Sequence, residues 1–364
     1  MGERFRVGLG SDLVSRDGSS LLADAVAELL EPVDGLACEP LGEPRTELEP
    51  EYVRDLDAAI TLWQPVTART LAGAPRLATV ARWGVGYDMI DVEACTEADV
   101  LVSITRDAVR RPVAEAILTF VLVLAKRVLP NDRLVREGRW EEKGAELGLG
   151  LRGRVLGTIG LGNIGAELVE LLRPLGLGRT LAADPFVRAA EAARIGVELT
   201  SLESLLAEAD FVCVNCPLTP ETRHLVGAPE LRLMKPTAYL INTARGPIVD
   251  EQALVEALEA GAIAGAALDV FEEEPLPAGS PLLRLENVVL APHAIAWTDE
   301  LFSLNGRGAC ENALAVLRGD VPRHVVNPEV VERPGFRAKQ ASLRERWEGR
   351  TMSEEAAWPA GTRS

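Results

Sequence analysis

Short apolar runs alternate with amphipathic stretches along most of the chain. Residues 5–9 are apolar and open onto a loop, and residues 20–30 repeat their apolar positions at helical spacing. Residues 58–62, 77–82 and 100–104 read as buried strands, and Asp91 predicts a capped helix through Glu97. This strand–helix alternation implies a parallel sheet covered by helices. A nearly continuous apolar run over 113–128 predicts a long buried helix halted by Pro130. Beyond a polar, glycine-dotted segment (137–153), a second α/β unit starts with a strand at 155–159. The turn Gly160-Leu161-Gly162-Asn163-Ile164-Gly165 follows, then a helix over 166–175 and a strand at 180–183. Further strands are expected at 211–215, 238–242, 265–269 and 288–291, with a helix from about 298 to 318 ended by Gly319. Residues 321–331 read as extended. From Pro334 the chain turns polar and rich in Arg, Glu, Ser and Gly, which predicts a mobile tail over 334–364 with a short helix near 342–347.

Composition sets bounds on this α/β reading. A chain of 364 residues with 47% hydrophobic content exceeds one usual domain, so two are expected. The formal net charge of -17 repels phosphate backbones and argues against nucleic acid as a partner. It also means that a site for an anion needs its own local cation. No opening segment reads as a signal peptide, and the longest apolar stretch, 114–129, is too short and too charged at its ends to span a membrane. Five scattered cysteines point to a reduced, cytosolic protein. Cys213 and Cys216 form a CxxC on a strand running into a turn. Positions three apart on a strand face opposite sides and no second pair completes a zinc site, so the pair reads as strand packing and no metal is expected.

A single GxGxxG is weak evidence, but here an apolar strand precedes it, a helix follows, and Asp184 closes the next strand. Gly160 makes the tight turn, Gly162 leaves room for a pyrophosphate, and Gly165 lets helix and strand pack closely. The pyrophosphate then meets backbone N–H groups at a helix start, at Asn163 and Ile164, where the dipole favours negative charge. Asp184 can accept hydrogen bonds from adenosine ribose hydroxyls and would repel a 2′-phosphate, so NAD is favoured over NADP. Arg188 nearby could soften that preference.

Three histidines are few enough to weigh singly. His224 reads as structural or solvent-facing, and His324 sits in the late extended segment with no acidic neighbour. His293 follows the strand at 288–291, at the sheet end where ligands bind, and can exchange a proton near neutral pH. Hydride transfer to a carbonyl carbon needs such a group. Glu274, in Asp269-Val270-Phe271-Glu272-Glu273-Glu274-Pro275, can stabilise its imidazolium, with Glu272 and Glu273 as solvated loop charges. Arg245, closing the strand before Gly246, offers a fork of donors for a substrate acid.

Several ordered segments together resemble the D-2-hydroxyacid dehydrogenase family over about 58–328. They are Arg82-Trp83-Gly84-Val85-Gly86-Tyr87-Asp88, the helix start Val113-Ala114-Glu115, the strand and turn through Gly165, and Cys216-Pro217-Leu218-Thr219-Pro220-Glu221-Thr222. Asn242 to Gly246, Asp269 to Pro275, and Ala291-Pro292-His293 complete the set. The resemblance implies that Arg245 binds the substrate's carbonyl and acid groups, that His293 is the general acid/base, and that Glu274 is its companion. Asp269 would hold the nicotinamide amide, Thr243 and Ala244 would lie under its ribose, and Cys216, Pro217, Thr222 and Pro185 would line the adenosine side. Backbone N–H groups at Val85 and Gly86 would bind the substrate acid. The implied fold is a Rossmann NAD-binding domain (108–297) plus a flavodoxin-like α/β substrate domain (1–107 and 298–333), with a cleft between them. The implied assembly is a homodimer.

Departures from the family pattern bear on the substrate. Trp63-Gln64-Pro65 occupies a loop after a substrate-domain strand, and Trp297 either walls the pocket or packs. Arg110-Arg111-Pro112 is either a solvated basic turn or a reader of a second negative charge, with Arg111 the candidate contact for a phosphate or phosphonate. The expected function is hydride transfer between nicotinamide and a small anionic 2-hydroxy acid. Two alternatives share the motifs: a dehydrogenase of hydroxyalkyl phosphonates, and an NADH-sensing, corepressor-like binding protein.

Overall fold

Parallel pairing runs through both sheets of the computed structural model, which describes residues 4–14, 20–41, 47–145 and 147–348. The first sheet holds β1 (Phe5–Gly10), β2 (Leu36–Leu41), β3 (Ala58–Thr61), β4 (Thr79–Arg82) and β5 (Leu101–Ser103), in the order β2-β1-β3-β4-β5. The second holds β6 (Val155–Ile159), β7 (Arg179–Ala183), β8 (Glu198–Leu199), β9 (Phe211–Val214), β10 (Tyr239–Asn242), β11 (Gly265–Leu268) and β12 (Val288–Leu290). Its order is β12-β11-β10-β9-β6-β7-β8. The first is the flavodoxin-like order and the second the doubly wound Rossmann order with one further strand. The chain divides between Val109 and Arg110 and again between Trp297 and Thr298, so the first unit is discontinuous.

In the first unit every residue of β3, β4 and β5 is buried, which is why these segments read as unbroken apolar runs. Asp91 Oδ1 accepts from Ala94 N at 2.9 Å and starts the helix Val92–Glu97. β2 carries Glu39 and Pro40 and lacks a strand-like pattern. It is an edge strand, where a proline costs no ladder bond on the open side and Glu39 can pair with Arg6.

Two expectations are corrected. The long helix is Arg106–Ala125, with Pro112 inside it, and it stops at Arg127, whose φ of 49° leaves the helical region. Pro130 does not halt it: it lies in the first turn of the next helix, Val128–Arg136, where no intrahelical N–H is needed. The expected mobile tail is, over Pro334–Glu348, a docked helix. Phe336 and Leu343 are buried, and Lys339 Nζ donates to the carbonyls of Leu77, Ala98 and Asp99 at 2.9–3.1 Å. Arg346 grips the buried Asp57 carboxylate, with Nη1–Oδ1 at 2.6 Å, and Arg76 meets the same group. Cations anchoring on carbonyls and one carboxylate hold this helix, so a polar composition hid it. The remainder of the predicted tail lies outside the described residues.

The second unit packs on both sheet faces. Leu206, Val212, Val214, Leu240 and Leu254 fill one side; Ile117, Phe120, Leu168, Phe211, Cys213 and Ile241 fill the other. Cys213 belongs to the second set, while Cys216 packs against the first, and both thiols are free. Burial pushes the Cys213 thiol far up and the Cys216 thiol up to about 11, so neither is a ready thiolate. Among the described residues no helix is long and apolar enough to cross a membrane.

Candidate active site

The glycine turn after β6 is shaped by two close approaches. Gly160 has φ of 95°, and a Cβ there would fall 2.9 Å from the backbone of Asn215 and Cys216. A Cβ on Gly165 would lie 2.7 Å from the Gly160 carbonyl. At Gly162, by contrast, a Cβ meets nothing within 4 Å. The protein's own packing therefore requires the first and third glycines and gives no reason for the second, whose open side is where a dinucleotide pyrophosphate fits. Gly162 is the N-cap of the helix Asn163–Leu172 and supplies no side-chain cap, so the first-turn amides face that same opening.

Side chains brace the turn. Thr158 Oγ1 donates to Gly160 O at 2.7 Å and accepts from Asn215 Nδ2 at 2.9 Å. Asp184 Oδ2 accepts from Leu161 N at 2.8 Å and Oδ1 from Phe186 N at 2.9 Å, which fixes the carboxylate at the end of β7 beside the glycine turn. Each oxygen keeps acceptor capacity for a ribose hydroxyl. Thr222 closes its loop by donating to Pro217 O at 2.7 Å. Thr243 Oγ1 is buried without a hydrogen-bond partner, an orphan that a bound ribose would satisfy. Asp269, 4% exposed, accepts from Ala294 N at 2.9 Å and Ile295 N at 3.2 Å through Oδ1. Burial raises its carboxyl above the ordinary value against those two N–H groups and the charge of His293. The residues present thus fit a dinucleotide from adenosine to nicotinamide.

A cluster of titratable side chains forms at the carboxyl ends of β10, β11 and β12. Asn242 ends β10 and makes an Asx turn: Oδ1 accepts from Ala244 N at 3.0 Å and Nδ2 donates to Arg245 O at 2.9 Å. Gly246 then lies against the next loop, where a Cβ would stand 1.9 Å from the Phe271 carbonyl. That contact sets the Arg245 turn on the Phe271–Glu272 backbone. Glu274 Oε1 accepts from Phe271 N at 3.1 Å, and Oε2 meets His293 Nδ1 at 2.8 Å. Burial opposes ionisation of Glu274, yet the bond to His293, its charge, the Phe271 N–H and the charge of Arg245 hold its carboxyl below the ordinary value.

All three histidines have left-handed backbones, with φ of 53–56°, and all three meet a carboxylate. Neither property singles out His293. His224 pairs with Glu272 at 2.6 Å, so Glu272 is not merely a solvated charge, and His324 pairs with Asp107 at 2.8 Å. His293 differs in that its side chain is 21% exposed against 44% for His224. Its carboxylate partner also lies in the field of Arg245.

Other predicted contacts sit as follows. Arg110 Nε donates to Glu167 Oε2 at 2.6 Å, and Arg111 bonds Glu115 at 2.6 Å and Glu167 at 3.3 Å. Glu167 is buried on the helix that follows the glycine turn, so both arginines have carboxylate partners. Trp297 is half-exposed and donates its backbone N–H to Ala294 O. In the first unit Gln64 is fully buried, its amide donating to Leu41 O at 3.1 Å and Ser11 Oγ at 3.3 Å, and Trp63 donates its N–H to Asp12. Gln64 thus braces the ends of β1, β2 and β3. Val85 and Gly86 are half-buried, and their loop is set by Gly84 N donating to Thr105 Oγ1 at 2.7 Å, with Thr105 in turn donating to the buried Asn305. Thr105, Asn305, Thr158 and Asn215 were invisible as site-builders in the sequence, since each bonds a segment remote along the chain.

Comparison with known proteins adds three findings. Residues 118–294 match the family described as D-isomer specific 2-hydroxyacid dehydrogenase, NAD binding domain. The chain is 44% identical over 292 residues to a glyoxylate reductase of Korarchaeum cryptofilum, covering 79% of this chain and 88% of that relative. Its structure is similar to D-lactate dehydrogenase of Aquifex aeolicus complexed with NAD and lactic acid, with a TM-score of 0.75 at 26% identity, covering 86% and 96% of the two chains. It is likewise similar to an NADPH-dependent glyoxylate/hydroxypyruvate reductase of Sinorhizobium meliloti, with a TM-score of 0.75 at 27% identity, covering 89% and 98%.

Proposed function

The chain belongs to the D-isomer specific 2-hydroxyacid dehydrogenases, and from that premise we propose that it interconverts a small 2-oxo acid of the glyoxylate class with its 2-hydroxy acid. It is an NAD-dependent oxidoreductase. The observation that carries the proton-exchange reading is the Glu274–His293 pair at 2.8 Å, set on the strand ends beside Arg245, and the likeness to glyoxylate reductases supports the substrate class. The dinucleotide, when bound, supplies or accepts the hydride. His293, with Nδ1 engaged by Glu274, exchanges its proton with the substrate oxygen through Nε2. Glu274 favours the imidazolium that forms when the hydroxyl is oxidised. Arg245 binds and orients the acid and carbonyl groups with its planar fork.

One assay tests this: NADH oxidation at saturating cofactor across glyoxylate, hydroxypyruvate, pyruvate and a phosphonate analogue. Glyoxylate-class acids are expected to lead. His293→Ala is expected to lose on the order of 10²–10⁴ in kcat while still binding NADH. Full activity in that variant refutes the proton assignment. A doubly charged phosphonate substrate needs a further uncommitted cation, and Arg110 and Arg111 are engaged by Glu167 and Glu115. That pairing favours the carboxylate reading.

We also propose a homodimer. Val128, Leu129, Val135, Trp140 and Leu147 are exposed in one segment of the second unit, Trp140 at 61% and Leu147 at 84%. A second copy covering these apolar side chains explains their cost to a lone chain. Light scattering after gel filtration is expected to give twice 39.1 kDa, and Trp140→Glu to shift the population toward monomer.

A further inference from the structure

The loop that carries Asp184 holds a second charged group with an arrangement of its own. Arg188 follows Asp184 by four residues and is the N-cap residue of the helix Ala189–Arg194. Its side chain is 82% exposed and pairs with Glu191. Arg188 Nε donates to Glu191 Oε1 at 3.0 Å and Nη2 bonds the same oxygen, while Glu191 Oε2 accepts from the Arg188 backbone N at 3.4 Å. Glu191 therefore uses both oxygens on one residue and holds its guanidinium against the first helical turn.

The position gives this pair a consequence. Asp184 fixes the ribose end of the cofactor, and a 2′-phosphate placed there meets a carboxylate whose geometry two backbone N–H groups lock. A guanidinium close to that position is the group that would offset the repulsion, because a planar fork matches phosphate oxygens. Arg188 is that group by chain position, and Glu191 engages it through Nε and Nη2. We propose that Glu191 is an NAD-selectivity residue, withholding Arg188 from the adenosine 2′ position, and that breaking the pair admits a dinucleotide bearing a 2′-phosphate. This rests on the assignment of the Gly160–Asp184 region as the adenosine site.

The size of the effect follows from exposure. An ion pair between two solvent-exposed side chains is weak, so Glu191 is a modest filter and Asp184 the main one. Releasing Arg188 is expected to tighten binding of a 2′-phosphate about two- to fivefold. Because the new contact is itself exposed, the gain shrinks as ionic strength rises.

Calorimetric titration of the full chain with 2′,5′-ADP and with 5′-ADP reads this without turnover. Glu191→Gln is expected to bind 2′,5′-ADP about two- to fivefold more tightly than the parent, with 5′-ADP unchanged. Adding Arg188→Ala to that variant is expected to remove the gain. The NADPH-to-NADH ratio of kcat/KM should move by the same factor in each variant. Unchanged 2′,5′-ADP affinity in Glu191→Gln, with 5′-ADP still bound, overturns the proposal alone, as does a gain that survives Arg188→Ala. Failure of the parent chain to bind 5′-ADP or NADH overturns the cofactor-site assignment as well.

Discussion

Glu274 Oε2 lies 2.8 Å from His293 Nδ1, and the other oxygen of the same carboxylate accepts from Phe271 N at 3.1 Å. Glu274 is thereby oriented before it orients the imidazole. Glu274→Gln keeps the size of the side chain and removes its charge. We expect kcat to fall on the order of 10²-fold with NADH affinity retained, since only the proton-transfer step loses support. Unchanged kcat with a fully active His293 would remove Glu274 from the mechanism.

The same pair makes a pH prediction. The Glu274 carboxyl sits below its ordinary 4.5 in the folded chain, so its ionised form contributes stability that is present above that value. The contribution disappears as pH falls through the lower folded value. The Tm difference between the parent and Glu274→Gln should therefore be widest near neutral pH and close as pH drops from about 4.5. A difference that grows on acidification contradicts the direction of the shift.

Two glycines separate a structural requirement from a ligand requirement. A Cβ on Gly246 would stand 1.9 Å from the Phe271 carbonyl, whereas one on Gly162 meets nothing within 4 Å. Gly246→Ala must displace backbone and is expected to destabilise the fold by about 3 kcal/mol, reading out as a large drop in urea midpoint. Gly162→Ala is expected to leave that midpoint unchanged and to weaken NADH binding at least tenfold, since the methyl enters the pyrophosphate's space. Equal loss of stability in the two variants would show that Gly162 is also a packing residue.

What the sequence made legible was what short spacing encodes. The Gly160–Gly165 turn, Asp184 at the end of the next strand, and the Asp91 cap each announce themselves within about 25 residues, because one strand–turn–helix unit imposes them. His293 was separable from His224 and His324 by its place after a strand, although all three share a backbone region and a carboxylate partner. Contacts between remote segments left no such mark. Asp107 meets His324 across 217 residues, Thr105 meets Asn305 across 200, and Asp57 meets Arg346 across 289. No periodicity links such positions. β2 was hidden because an edge strand tolerates Pro40, and the helix Pro334–Glu348 because the half-buried, anchored Lys339 and Arg346 look like solvated charges in a list of residues.

That helix is a stability element of the first unit. Phe336 is fully buried, so Phe336→Ala is expected to cost about 3–5 kcal/mol, whereas substitution of the exposed Arg337 should cost little. Limited proteolysis and urea unfolding would check this. A Phe336→Ala chain as stable as the parent means the helix is not docked in solution.

The arginine pair beside Pro112, which the sequence leaves as either a solvated basic turn or a reader of a second negative charge, gives the last test. Arg111 bonds Glu115 and Glu167, while Arg110 bonds Glu167, whose carboxyl is kept below its ordinary value by the two guanidiniums despite burial. With their donors engaged on protein carboxylates, these side chains fasten the helix Arg106–Ala125 to the helix Asn163–Leu172. Arg111→Ala should leave KM for glyoxylate-class acids within about twofold, because an exposed arginine already paired on the protein offers little to a substrate. Glu167→Ala should act differently. It strips both arginines of a buried shared acceptor and is expected to lower Tm more than Arg111→Ala does. A large rise in KM for doubly charged substrates in Arg111→Ala, with Tm unchanged, would restore this arginine to the anion site.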